Sequence, residues 1–156
     1  MTTELTRAIA RLLLAPALVV AVAVLVKGYV DVGDGFAGGV VAALGVLLQY
    51  LAFGRAAVER ALPVRRAAHV AVGGLLVALA VALVPVLAGN APLQHAPPPG
   101  VEVAKLGTLE LITAVAFDVG IFALILGMVV ATIHLIAGTP PPRPVTGASP
   151  SRTERP

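Results

Sequence analysis

Four long apolar stretches constrain what this chain can fold into, at about residues 8–27, 36–53, 69–87 and 109–137. A helix rises 1.5 Å per residue, so ~20 residues cover the ~30 Å hydrocarbon core of a bilayer. Inside lipid every backbone N–H and C=O must be satisfied within the segment, which leaves helices as the economical solution. Hydrophobic residues make up 58% of the 156-residue chain and charged residues 12%, against about a quarter charged in soluble domains. The expectation is an all-α membrane protein of one domain, four transmembrane helices over residues 8–137. A Pro-rich tail, residues 138–156, is expected to be disordered.

The segments between the stretches differ in character. Residues 54–68 are expected to form a polar, basic loop, with Arg55, Glu59, Arg60, Arg65 and Arg66 around Pro63. Residues 89–106 are rich in turns, with Pro97, Pro98 and Pro99 in a row, which favours an extended connection. Val101 to Leu106 is expected to start a short interfacial helix. The fourth stretch is the longest, ~43 Å if helical throughout, and is expected to tilt or protrude. The first is read as a retained span rather than a signal peptide, because Lys27-Gly28-Tyr29 is no small-residue cleavage site.

Charge sets the expected orientation. With four spans, Arg7, Arg11, Arg55, Arg60, Arg65, Arg66, Arg143, Arg152 and Arg155 fall on one side, and Lys27 and Lys105 on the other. Basic residues collect on the cytoplasmic side. Both termini are therefore expected in the cytoplasm, in a multi-pass protein of the cell membrane. The net charge of +3 reads as topology rather than as nucleic-acid binding.

The hairpin between spans one and two is dense in glycine and carries two acids: Asp31, Gly33, Asp34, Gly35, Phe36, Gly38 and Gly39. The acids would attract cations at the outer mouth; equally, Asp and Gly serve a tight turn for backbone reasons. Small residues recur at helical spacing, with Gly45 in span two and Gly120 and Gly127 in span four. They allow close helix approach. Gln49 is placed to bond a partner helix or reach the interface.

Asp118 is the acid set deepest in an apolar stretch. A carboxylate there costs a few kcal/mol on insertion scales unless paired, hydrated or protonated. Burial raises a carboxyl's pKa, which suits proton exchange, and its oxygens would also ligate Na⁺. The other reading is a hydrogen bond that glues neighbouring helices. Glu110 and Thr113 are candidates for a polar path toward it, with an ordinary interfacial Glu as the alternative. His69 and His134 read as interfacial.

Several chemistries lack their parts. The chain has no cysteine, hence no disulfide, thiolate metal site or cysteine nucleophile. No serine precedes residue 149, which excludes a serine nucleophile in the spans. The glycines at 33–39 are followed by no Lys-Ser/Thr, so they form no phosphate loop. His69, His95 and His134 lie on different segments and suggest no metal or haem site. Neither enzyme activity nor a cofactor is expected.

Two motifs resemble a known family. Gly33-Asp-Gly-Phe-Ala-Gly-Gly39 followed by Gln49-Tyr-Leu-Ala-Phe-Gly54, with Phe117-Asp-Val-Gly120 in the last span, resembles the MnhB family, whose members are subunits of Mrp-type (Mnh) cation/proton antiporters. Tyr29, Val30, Val32 and Asp34 depart from that family's usual His, Asn, Pro and Gly, so a role tied to its histidine does not transfer. The resemblance implies an accessory component of a multi-subunit complex exchanging Na⁺ for H⁺, with other subunits and membrane lipid as partners and Asp118 on or beside an ion path. The alternative is a structural or assembly component of a related respiratory or membrane-bound hydrogenase complex. A stand-alone transporter is disfavoured by a single deep acid and the lack of an internal repeat.

Overall fold

A computed structural model describes residues 4–27, 34–89, 91, 105–106, 109–110 and 113–139. The elements are α1 (Glu4–Lys27), α2 (Asp34–Phe53), α3 (Arg55–Ala61), a 3₁₀ turn (Val64–Arg66), α4 (Ala67–Leu87), β1 (Lys105–Leu106), β2 (Leu109–Glu110) and α5 (Thr113–Ile136). Among the described residues four helices are long and apolar enough to cross a membrane: α1, α2, α4 with its preceding turn, and α5. Asp31 and Gly33 of the hairpin, the Pro-rich connection around His95, and the tail from residue 140 onward lie outside the described residues.

The four long helices pack in the order α1–α2–α5–α4, so the last helix in sequence sits between the second and the fourth. Small residues make these seams. A Cβ added at Gly120 would stand 2.9 Å from the Gly74 carbonyl oxygen, and one at Gly127 would stand 2.6 Å from the Ala67 carbonyl oxygen. Both positions hold α5 against α4 at backbone distance. Gly45 faces the Ala17 methyl of α1 at 3.1 Å by the same measure. Gly38 is pressed between Ala21 and Phe122, and Gly39 against Phe122 and Ile125. In lipid, where apolar side chains gain little by leaving the tails, close backbone packing of this kind drives association.

Burial follows from the order. Half of the most apolar stretch of α2 is buried, against about a tenth of that of α1 and of α4. Leu12, Val19, Leu76 and Leu87 are among the large apolar side chains left exposed, as expected of helices that face lipid. Pro16 lies within α1 without ending it. Gln49 is buried and its Nε2 donates to the Ala10 carbonyl at 2.7 Å, tying α2 to α1.

Three expectations are corrected. The 54–68 segment is not a plain loop. Gly54, with φ of 75° and ψ of 169°, closes α2 through its N–H to the Tyr50 carbonyl at 3.0 Å, an extended positive-φ conformation open essentially to glycine. The chain then re-enters helix as α3, whose Val58 plugs a core with Tyr50, Val64 and Val130. Span four does not begin at Leu109: Leu109 and Glu110 pair antiparallel with Leu106 and Lys105, and α5 starts at Thr113. For the same reason Lys105 and Leu106 belong to a strand and not to an interfacial helix.

Candidate functional site

Asp118 is 5% exposed, and with Gln49 it makes up the buried polar or charged residues among those described. It sits five residues past the start of α5, ~7.5 Å along the axis, and so is shallower than a helix beginning at Leu109 would make it. Its backbone meets the start of α2: a Cβ at Gly35 would run into the Asp118 carbonyl. The absence of a side chain at Gly35 thus fixes where Asp118 stands. Asp118 is engaged in a polar interaction, as are Lys27 and Thr113.

Charge gathers at this level. Asp34, the first residue of α2, places its carboxylate 3.9 Å from Nζ of Lys27, the last residue of α1. Lys27, Asp34, Gly35 and Asp118 therefore meet at one end of the bundle, where the N-terminal N–H groups of α2 add positive partial charge. Phe36 is exposed, at 57%. Glu110 belongs to β2, outside the span. Thr113 is half-buried and five residues before Asp118, about 140° away around the helix. Glu110, Thr113 and Asp118 do not share a helix face. Chemically, a buried carboxylate in an apolar span is suited to exchange a proton or hold a monovalent cation. Among the described residues no cluster of three or more His, Cys, Asp or Glu is placed to bind a metal.

A second cluster lies at the opposite end, ~24 Å along α5 from Asp118. Tyr50 Oη is 2.9 Å from His134 Nδ1. On the other ring edge His134 Nε2 is 3.3 Å from an Arg55 guanidinium nitrogen and 3.6 Å from Glu59 Oε1. Arg55 Nε donates to Glu59 Oε1 at 2.6 Å, and Arg65 donates to the other Glu59 oxygen at 2.7 Å. Those two hydrogen bonds, from Arg55 first and Arg65 second, hold the Glu59 carboxyl at about 2, well below its ordinary 4.5. α2, α3, the 3₁₀ turn and α5 are thereby pinned together.

Sequence reasoning placed none of these residues in a site, His134 included. The one local signal was the i, i+4 spacing of Arg55 and Glu59, which pairs charges only if 55–61 is helical.

The family model described as "Domain related to MnhB subunit of Na+/H+ antiporter" matches residues 5–131. A curated relative, the B component of a Na(+)/H(+) antiporter of Alkalihalophilus pseudofirmus, is 33% identical over 110 residues, which cover 70% of this chain and 75% of the relative.

Proposed function

Because the chain belongs to the family of domains related to the MnhB subunit of Na⁺/H⁺ antiporters, we propose that it is an accessory membrane subunit of a multi-subunit monovalent-cation/proton antiporter. Its partners are larger antiporter-like subunits and other small membrane subunits, and Na⁺ and H⁺ are the exchanged ions. Asp118 lies on or beside the ion path. The termini face the cytoplasm, in keeping with the collection of Arg55, Arg60, Arg65 and Arg66 at the end where α1 begins and α5 finishes.

The observation that carries this is the burial of Asp118, whose backbone packs on Gly35, the neighbour in sequence of the Lys27-paired Asp34. A carboxylate held in that position responds to protonation and to a passing cation, which an amide would not. One deep acid is too few for a complete relay, so the remaining groups belong to partner subunits.

Asp118→Asn tests the role. It keeps size and hydrogen bonding and removes titration. The expected result is loss of Na⁺-driven proton movement in membrane vesicles while the complex still purifies intact in mild detergent. Loss of the complex itself would make Asp118 an assembly contact, the alternative that the close glycine seams favour. Mass spectrometry of the co-purified partners then separates an antiporter from a redox-driven host: hydrogenase or respiratory subunits among them would place the chain in the latter.

A further inference from the structure

α1 and α4 each pack on a central helix and not on each other, which leaves a groove between them floored by α2 and α5. Three cavities follow one another from the start of α1: the first two lie between α1 and the α2–α3 end, and the third lies in this groove. The first, about 270 Å³, opens at the start of α1 among Glu4, Arg7, Arg11 and Phe53. The second, about 260 Å³, shares Arg11 and Phe53 with the first and continues past Leu14 and Leu62. The third, about 200 Å³, shares Leu14 and Leu62 with the second and is walled by Leu18, Val70, Leu126 and Val130.

One wall changes character along its length. Arg7, Arg11, Leu14 and Leu18 follow at spacings of four, three and four, which places them within ~60° of one another on α1. Two guanidinium groups thus open onto a trough that is apolar beyond Gln49. Arg11 lies over the Phe53 ring at 5.3 Å, and no carboxylate among the described residues pairs with it in the structure. Among the described residues Arg7 bonds the exposed Glu4, at 3.2 Å, a surface pair that is easily exchanged. A guanidinium fork matches a phosphate in charge and geometry.

We propose that this groove binds one anionic phospholipid, with its phosphate at Arg7 and Arg11 and an acyl chain laid along Leu14, Leu18, Leu126 and Val130. The polar mouth stands at the membrane surface and the apolar trough at the depth of the tails, the order in which a phospholipid presents the same groups. A transmembrane helix from a neighbouring subunit would fill the trough but leave the two guanidinium groups without an anion. Glu4 at the rim opposes the headgroup, so the site is tuned rather than maximally attractive.

The test is native mass spectrometry of the intact complex titrated with phosphatidylglycerol or with phosphatidylcholine of identical chains. Wild type is expected to retain phosphatidylglycerol in preference. With roughly fivefold per basic residue, Arg11→Gln weakens that binding roughly 5-fold and the Arg7→Gln/Arg11→Gln pair roughly 30-fold. The corresponding Lys variants keep most of it, and Leu18→Trp, which fills the trough, removes it with both arginines present. Unchanged retention in the double Gln variant would overturn the proposal. So would a cross-link from Leu18→Cys to another subunit's helix in the untreated membrane.

Discussion

Tyr50 and His134, 84 residues apart in the chain, meet at 2.9 Å between Oη and Nδ1, their rings edge to face at 68°. The contact fastens the end of α2 to the end of α5, while Arg55 and Glu59 close the other edge of the imidazole. Tyr50→Phe keeps the ring and deletes one partner of a part-buried hydrogen bond. It is expected to cost about 1 kcal/mol, read as a lowered midpoint of thermal unfolding of the purified complex. An unchanged midpoint would mean that water replaces the hydroxyl without loss.

Glu59 makes stability depend on acid. Its folded-state pKa, about 2, lies below its ordinary 4.5. The stabilisation is therefore fully present above about 4.5 and is lost as pH falls from there toward 2. Thermal unfolding of wild type across that window should decline more steeply than that of Glu59→Gln, which has no carboxylate to protonate. Parallel slopes for the two would show that the Arg55–Glu59–Arg65 bonds contribute nothing in solution.

Two glycines of the small-residue helices give opposite outcomes. Gly127→Ala drives a methyl into the Ala67 and Ala71 backbone and should cost about 1–3 kcal/mol by overpacking, seen as lower yield of folded chain and weaker resistance to detergent. Gly73 has nothing within 4 Å of an added Cβ, so Gly73→Ala should be neutral or stabilise by up to about 1 kcal/mol through helix propensity. Equal loss in both variants would remove the close α4–α5 approach as the cause.

Gly35→Ala probes Asp118 without altering it. The added methyl meets the Asp118 backbone and must push α5 away from the start of α2. Ion exchange in vesicles is expected to fall at least as far as it does for Asp118→Asn. Full exchange in Gly35→Ala would show that the carboxylate works equally well from a displaced position.

The spans were legible because uncharged runs of membrane length admit few structures, and Asp118 stood out as the acid inside one of them. The start of α5 was not legible: Leu109-Glu110 reads as readily as helix, and only pairing with Leu106 and Lys105 makes a strand of it. Helix order was also hidden. α2, α4 and α5 are apolar all round, so no stripe marks which neighbour each one faces. The His134 cluster was missed because its members come from 50, 55, 59, 65 and 134, and nothing local in the chain announces that Tyr50 and His134 will meet.

The place of α5 between α2 and α4 has a consequence for biogenesis. The ribosome delivers α1, α2 and α4 to the membrane before the helix that joins them exists. Until α5 arrives, the Gly35–Gly39 face of α2 and the Gly74–Ala78 face of α4 have no partner from this chain. A ribosome halted before Thr113 would leave an α1–α2 pair and a solitary α4, open to capture by other membrane proteins. Completion of the polypeptide, rather than insertion of each span, is the step that closes the bundle.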